Sequence, residues 1–545
     1  MRWPVEAERH LSGAHRTMHG PGGHLPQRRS YSLDPLDRLA LAYLLLPLVI
    51  FLAGWLEIWA ALPLLLCLAL AARPLFRPAI FRSAHLDPGR ALPAAPPPTR
   101  LHLAVALGVG CAWTVFGGTG HLLFANADWH VRDAVLHDLV SGSWPVGYVS
   151  PDGALRLLRA PLGYYLPAAL IGKGAGLAAA HAAMALWTAA GAALFLLLVL
   201  SRTPSRLGAV LVAAGVIVLF SGLDVVGTLL TGSGSVAHWD FTRHLEWWAR
   251  RYQYSSMTTQ LFWVPNHALC GWVAMGLLLR SARSRSLEAM LPILMVAVAL
   301  CSPLTALGLI PFALLRAVQA MREDRSLELL HPRVWGAAAI VGLVVAAYLT
   351  LDSSRIPRSF TVATSGVGAA LADLGHQAEF FLLEAGLVGA AILALRPVRS
   401  VVLALVILAL LPLVSFGAAN DFVMRASIPS LAALAVGASR ALLEPDSIRA
   451  VRAKKALLGL LLALGAVTPM QEFARAAALP AWPIDRRATL IGAACGSYPP
   501  HYVARLAGQP IARLLRPVHP LSLGPLGPSA CENPAIEIQR ERDQR

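Results

Sequence analysis

The sequence predicts an all-α fold, a polytopic transmembrane helical bundle of about thirteen spans with extracytoplasmic loop helices. Three observations predict it. Of 545 residues, 56% are hydrophobic and only 14% are charged, where a soluble globule carries about a quarter charged residues. Apolar runs approaching the ~20 residues a membrane helix needs recur along the whole chain. Between them arginine gathers in short blocks, with lysine only at Lys173, Lys454 and Lys455. The formal charge of +16 therefore reads as topology signals facing anionic lipid, with no nucleic-acid partner.

Residues 1–37 are polar, rich in Arg, His, Gly and Pro, and lack an apolar signal-peptide core. They predict a disordered cytoplasmic tail, so the first span serves as an uncleaved anchor. The predicted spans in the core, 38–470, begin with Leu39–Trp55, Ile58–Ala72, Leu101–Gly117, Gly176–Leu200, Leu207–Val225 and Trp263–Leu279. They continue with Leu287–Cys301, Leu304–Leu315, Val334–Leu351, Phe380–Leu395, Val401–Phe416, Phe422–Leu443 and Ala456–Met470.

Arginine sets the expected orientation. Arg38, Arg73, Arg202, Arg280, Arg316, Arg396 and Arg449 with their neighbours fall inside if Pro161–Ile171 is re-entrant or interfacial. The expected site is a bacterial cytoplasmic (inner) membrane, with the N-terminus cytoplasmic. The loops 118–160, 227–262 and 352–378 and a small C-terminal tail, 471–545, then lie outside. Cys495 and Cys531 both fall in that tail, where an oxidising compartment would let them pair.

Chemistry concentrates on the outer side. The loop Asn126-Ala127-Asp128-Trp129-His130-Val131-Arg132-Asp133 follows an apolar run. If it opens a helix, Asp128 and Arg132 share a face at i, i+4. Asp128 then reads either as a general base or as an N-cap paired with Arg132. Asp128 and Asp133, with His130, offer oxygen and imidazole ligands for a divalent cation such as Mg or Mn, although the spacing matches no defined metal motif. Pro265-Asn266-His267 suits either a helix start or polar substrate contacts. Asn420-Asp421 ahead of Arg425 suits either a local ion pair or a phosphate clamp, because guanidinium matches phosphate bidentately. Glu384, inside an apolar run, needs a partner across the bundle.

These strings resemble the GT-C-type integral membrane glycosyltransferases: an acidic residue in an outer loop after an apolar span, the paired Tyr164 and Tyr165, and many spans with arginine inside. Asn126–His130, Trp144-Pro145, Val264–Ala268 and Asn420–Pro429 are also similar to those of bacterial multi-span membrane proteins of comparable size. The GT-C resemblance implies transfer of a sugar from a polyprenyl-phosphate donor to an envelope glycan or lipid. In that scheme Asp128 deprotonates the acceptor, and His130 or Asp133 orients it or holds an optional metal. Arg425, with Arg243 or Arg250, neutralises the donor phosphate. Asn126, Arg132, Tyr164, Tyr165, Trp263, Asn266, His267, Asn420 and Asp421 contact substrate. The alternatives are a transporter or flippase of a lipid-linked glycan, and a glycan polymerase or ligase.

Overall fold

A computed structural model describes residues 33–76, 97–232, 244–280, 285–324, 332–362, 366–417, 420–445, 448–523 and 531–543. Most of the expected N-terminal tail lies outside them. The protein is mostly helical. Among the described residues five helices are long and apolar enough to cross a membrane: Pro35–Trp55, Leu177–Leu200, Pro303–Arg322, Val367–Leu395 and Asp421–Leu442. Shorter apolar helices include Ile58–Ala71, Arg100–Phe116, Leu207–Val218, Ser286–Cys301, Val334–Leu349 and Arg399–Leu413.

Several expected spans take different bounds for local reasons. Proline carries no N–H to donate, so it opens helices readily. Helix Pro303–Asp324 accordingly starts at proline and outruns the expected Leu304–Leu315. The expected span from Trp263 is divided at Val264 into Met257–Trp263 and Pro265–Arg280. The expected Phe380–Leu395 is the second half of a continuous helix interrupted by a π-turn at Leu382–Gly386. Ala456–Met470 falls across two helices, Arg449–Gly465 and Val467–Ala478. Leu166–Ala175 has ten residues, about 15 Å of helix, half of what a bilayer core requires. It turns at Gly176 (φ 86°) and packs back through Gly172 on Ala180 of Leu177–Leu200.

Small residues and stacked rings bring the helices together. A Cβ at Gly110 would lie 2.8 Å from the Ala193 backbone nitrogen, so glycine sets the approach of Arg100–Phe116 to Leu177–Leu200. Trp113 and Trp272 stack at 5.2 Å. At one end of the bundle the arginines are tied down: Arg280 pairs with Asp37 at 2.5 Å and Asp34 at 2.6 Å, Arg202 Nε donates to the Arg280 carbonyl, and Arg316 pairs with Glu288 at 3.1 Å.

The other end corrects the all-α expectation. Strands β1 (Val146–Val149) and β2 (Leu155–Leu158) form a hairpin about Pro151-Asp152-Gly153, with Gly153 at φ 75°. Turn residues between two short β-prone runs were the signal for it. Strands β3 (Arg358–Phe360) and β4 (Val414–Phe416) pair with each other. The tail adds β5 (Val503–Arg505) to β2 and β6 (His519–Pro520) to β1, giving the order β5-β2-β1-β6. The tail is thus built onto the β1–β2 hairpin, and Cys495 and Cys531 are disulfide-bonded. It also reaches the first helical hairpin, where Arg516 donates to the carbonyls of Ala53 and Leu56.

Candidate functional site

The site begins with the turn that follows Arg100–Phe116. Gly118 sits at φ 76° where a Cβ would strike Ala125, so only glycine fits this reversal. The chain is then pinned to the end of Met257–Trp263. Asn126 Nδ2 donates to the Phe262 carbonyl at 2.6 Å, its Oδ1 accepts from the Asp128 N–H at 3.1 Å, and Trp129 Nε1 donates to the same Phe262 carbonyl. Asp128 therefore becomes the first residue of helix Asp128–Ser141 rather than its cap. Its carboxylate is half exposed and pairs with Arg132 one turn on, at 3.2 Å.

Asp128 faces a cavity of about 950 Å³ whose walls come from distant stretches: 244–264, 359–361, Ser415 and 420–425. Arg425, Arg250 and Arg251 all line it. Arg425 forms an ion pair with Asp421, but its Nε is buried without a hydrogen-bond partner. Arg250 and Arg251 are exposed and have no acidic partner among the described residues. Asn420, at φ 54°, donates through Nδ2 to the Arg251 carbonyl at 3.0 Å, while its buried Oδ1 accepts nothing. Asp128 and Asp421 both already have arginine partners, so the unspent charge is positive and favours an anionic ligand. Trp247, Trp263 and Phe360 supply aromatic faces, Trp247 and Phe360 being 60% and 81% exposed.

His244, also in the wall, was not singled out from the sequence. Its ring stacks on Trp263 at 5.1 Å and 13°. Its nitrogens lie 3.8 Å from Glu246 Oε2 and 3.6 Å from Glu472 Oε1. Burial lowers the imidazole to about 4, although Glu472 opposes the shift, so His244 is neutral at physiological pH. Glu246 lies behind the wall residues Gln253, Ser255 and Thr259, and accepts from Gln253 Nε2 at 2.7 Å and the Ser256 N–H at 2.9 Å. Burial, reinforced by the charge of Asp224, pushes it up to about 8. Interleaved aromatic and charged residues in 244–251 were the only sequence signal for this wall. Their pairing with Glu472, more than two hundred residues away, left none.

The structure brings Asp128, Arg250, Trp263, Asn420, Asp421 and Arg425 together in this cavity and places the other expected residues that it describes outside its lining. At ~100° per residue, Asp133 points about 140° around the helix from Asp128, and His130 about 160°. Asp133 is buried, accepting from His121 Nε2 at 2.7 Å with His181 at 3.7 Å. His130 is buried outside the cavity lining. Asp128 and Asp133 thus share no ligand position. Among the described residues no three His, Cys, Asp or Glu side chains are grouped to hold a metal.

Asn126 and Arg132 act behind Asp128 rather than in the wall. Tyr164 bonds Thr188 at 2.6 Å, Tyr165 is buried beside it, and His267 bonds Ser302 at 2.8 Å. Asn266 is likewise buried outside the lining. Arg243 lies outside the described residues. A second hollow of about 750 Å³, walled by leucine and alanine with Tyr43 and Trp187, offers no charged group.

Comparison with protein-family models, curated proteins and solved structures finds no match.

Proposed function

We propose that the chain is a membrane enzyme that transfers a sugar from a polyprenyl-phosphate donor to a glycan or lipid of the cell envelope. The reaction would take place in the cavity, at the face turned away from the arginine-rich end of the bundle. One observation carries this reading. A single hollow of about 950 Å³ holds three guanidiniums, a helix-N-terminal carboxylate and exposed aromatic rings. Guanidiniums suit a phosphate, aromatic faces suit the apolar face of a sugar ring, and a carboxylate suits a hydroxyl that must lose its proton.

The acceptor hydroxyl attacks the anomeric carbon, forming the new glycosidic bond as the carbon–oxygen bond to phosphate breaks. Asp128 takes the acceptor proton. The electron pair of the broken bond leaves with the phosphate, whose added charge Arg425, Arg250 and Arg251 stabilise. Arg132 holds Asp128 in place from the buried side. Trp247 and Trp263 would stack the sugar.

The test uses the purified full-length chain, short-chain polyprenyl-phosphate sugars and polyprenyl phosphate itself. Asp128→Asn should abolish transfer while leaving polyprenyl-phosphate binding intact. Arg425→Ala should weaken that binding about ten- to hundredfold, since a charge-assisted hydrogen bond contributes about 1.5–3 kcal/mol. Full glycan output from the Asp128→Asn chain, with Arg425 still essential, would sink the enzyme and favour a carrier of lipid-linked glycan.

A further inference from the structure

Behind the cavity a second set of groups reaches into the bundle. Glu384 lies in the π-turn of the 29-residue helix Val367–Leu395 and is 1% exposed. Its element lies against the turn that carries Asp224, also buried: the Leu223 N–H donates to the Leu383 carbonyl at 3.1 Å. Two carboxylates in contact and out of water cannot both be ionised. The surrounding donors decide which one is. Asp224 Oδ2 accepts from Ser221 Oγ at 2.8 Å and Thr468 Oγ1 at 2.9 Å. Among the described residues Glu384 receives only Trp248 Nε1, on Oε1 at 2.8 Å, and no donor reaches its buried Oε2. A bare buried oxygen beside a second carboxyl is where the proton resides. Gly222 makes the room, because a Cβ there would occupy the position of Glu384 Oε2.

The pair is not isolated. Helix Asp224–Leu230 packs on the turn that carries Glu246, with Thr228 Oγ1 donating to the Leu245 carbonyl at 3.4 Å, and His244 stands between Glu246 and Glu472 with no hydrogen-bond partner for its buried Nδ1 among the described residues. Arg475, the nearby cation, is engaged by Glu472 at 3.0 Å. We infer that Asp224 and Glu384 form a proton-binding site inside the bundle, exchanging with the cavity by way of Glu246 and His244. A proton is then a ligand of this protein in its own right, whether or not the cavity transfers sugar.

Infrared spectra of the purified full-length chain in nanodiscs read the site directly. A carbonyl-stretch component of a protonated carboxyl, separate from the one Glu246 contributes, should be present at neutral pH, shift in deuterium oxide, and disappear in Glu384→Gln. That variant keeps an N–H to donate to Asp224 and should melt at the wild-type temperature. Asp224→Asn removes the acceptor, so it should move the same band even if Glu384→Gln folds poorly. His244→Phe keeps the ring stacked on Trp263 but should slow deuterium exchange of the band severalfold. A wild-type spectrum without the band, or one unchanged by both carboxyl variants, overturns the site; unchanged exchange in His244→Phe overturns the route.

Discussion

At the scale of single residues, the cavity wall is tuned by burial more than by contact. His244 is lowered to about 4 from an ordinary 6.5, and Glu246 is raised to about 8 from an ordinary 4.5. The two shifts act on stability with opposite sign. Between about 4.5 and 6.5 the unfolded chain binds more protons at His244 and fewer at Glu246, so their slopes oppose each other. From about 6.5 to 8 only Glu246 counts. The folded state then holds the extra proton, and stability falls as pH rises. The melting temperature should therefore decline across that upper window and flatten in Glu246→Gln; a parallel decline in both proteins would rule out this assignment.

Asp133 illustrates the opposite outcome. Its bond to His121, which also bonds the Trp482 carbonyl at 3.1 Å, ties helix Asp128–Ser141 to the tail. Asp133→Ala should cost about 1–3 kcal/mol of stability for the polar group left unpaired. Transfer by the chain that remains folded should be retained. The neighbourhood of Asp128 and Asp133 in sequence suggested a shared site, but helical rotation sends them to different surroundings.

At the scale of elements, apolar run length located the helices, whereas close contacts between backbones set how they pack. A Cβ at Gly308 would collide with the Ala426 carbonyl of the facing element, while one at Gly215 would meet nothing within 4 Å. Gly308→Ala should lower the melting temperature by overpacking, a cost of about 1–3 kcal/mol. Gly215→Ala should hold or raise it, because alanine is favoured over glycine in a helix by up to ~1 kcal/mol. Equal effects at both positions would contradict the packing described. The hairpin β1–β2 was legible at Pro151-Asp152-Gly153. The three-residue strand β5 and the two-residue strand β6 were not, since pairing partners that far away in sequence (Arg156 with Arg505, Val146 with His519) leave no periodicity to read.

At the scale of the whole molecule, the tail joins the β1–β2 sheet to helix Asp128–Ser141 and the turn before it. Its strands extend the β1–β2 sheet, Leu490 N–H donates to Asp138 Oδ2 at 2.9 Å, and Asn533 Nδ2 donates to the Ala127 carbonyl at 2.9 Å, next to Asp128. The disulfide between Cys495 and Cys531 spans a sequence separation of 36. A loop of that size stabilises by about 2–4 kcal/mol through lost unfolded-state entropy. Reduction, or the Cys495→Ser/Cys531→Ser pair, should make the tail susceptible to limited proteolysis while the helical bundle resists. Equal protection with and without reductant would show that the crosslink contributes little to holding it.

Composition and apolar spacing alone were enough to determine a mostly helical chain with helices apt for a membrane, because burial in lipid demands long apolar runs that any reader of the sequence can count. They also located Asp128, Trp263 and the Asn420-Asp421-Arg425 group as polar residues where apolar runs start or stop. Only the tertiary structure decided which of them meet. Facing His244 with Glu472, or Asp224 with Glu384, depends on how far-separated helices rotate and pack, and that rotation is set by shape complementarity rather than by any pattern local in sequence.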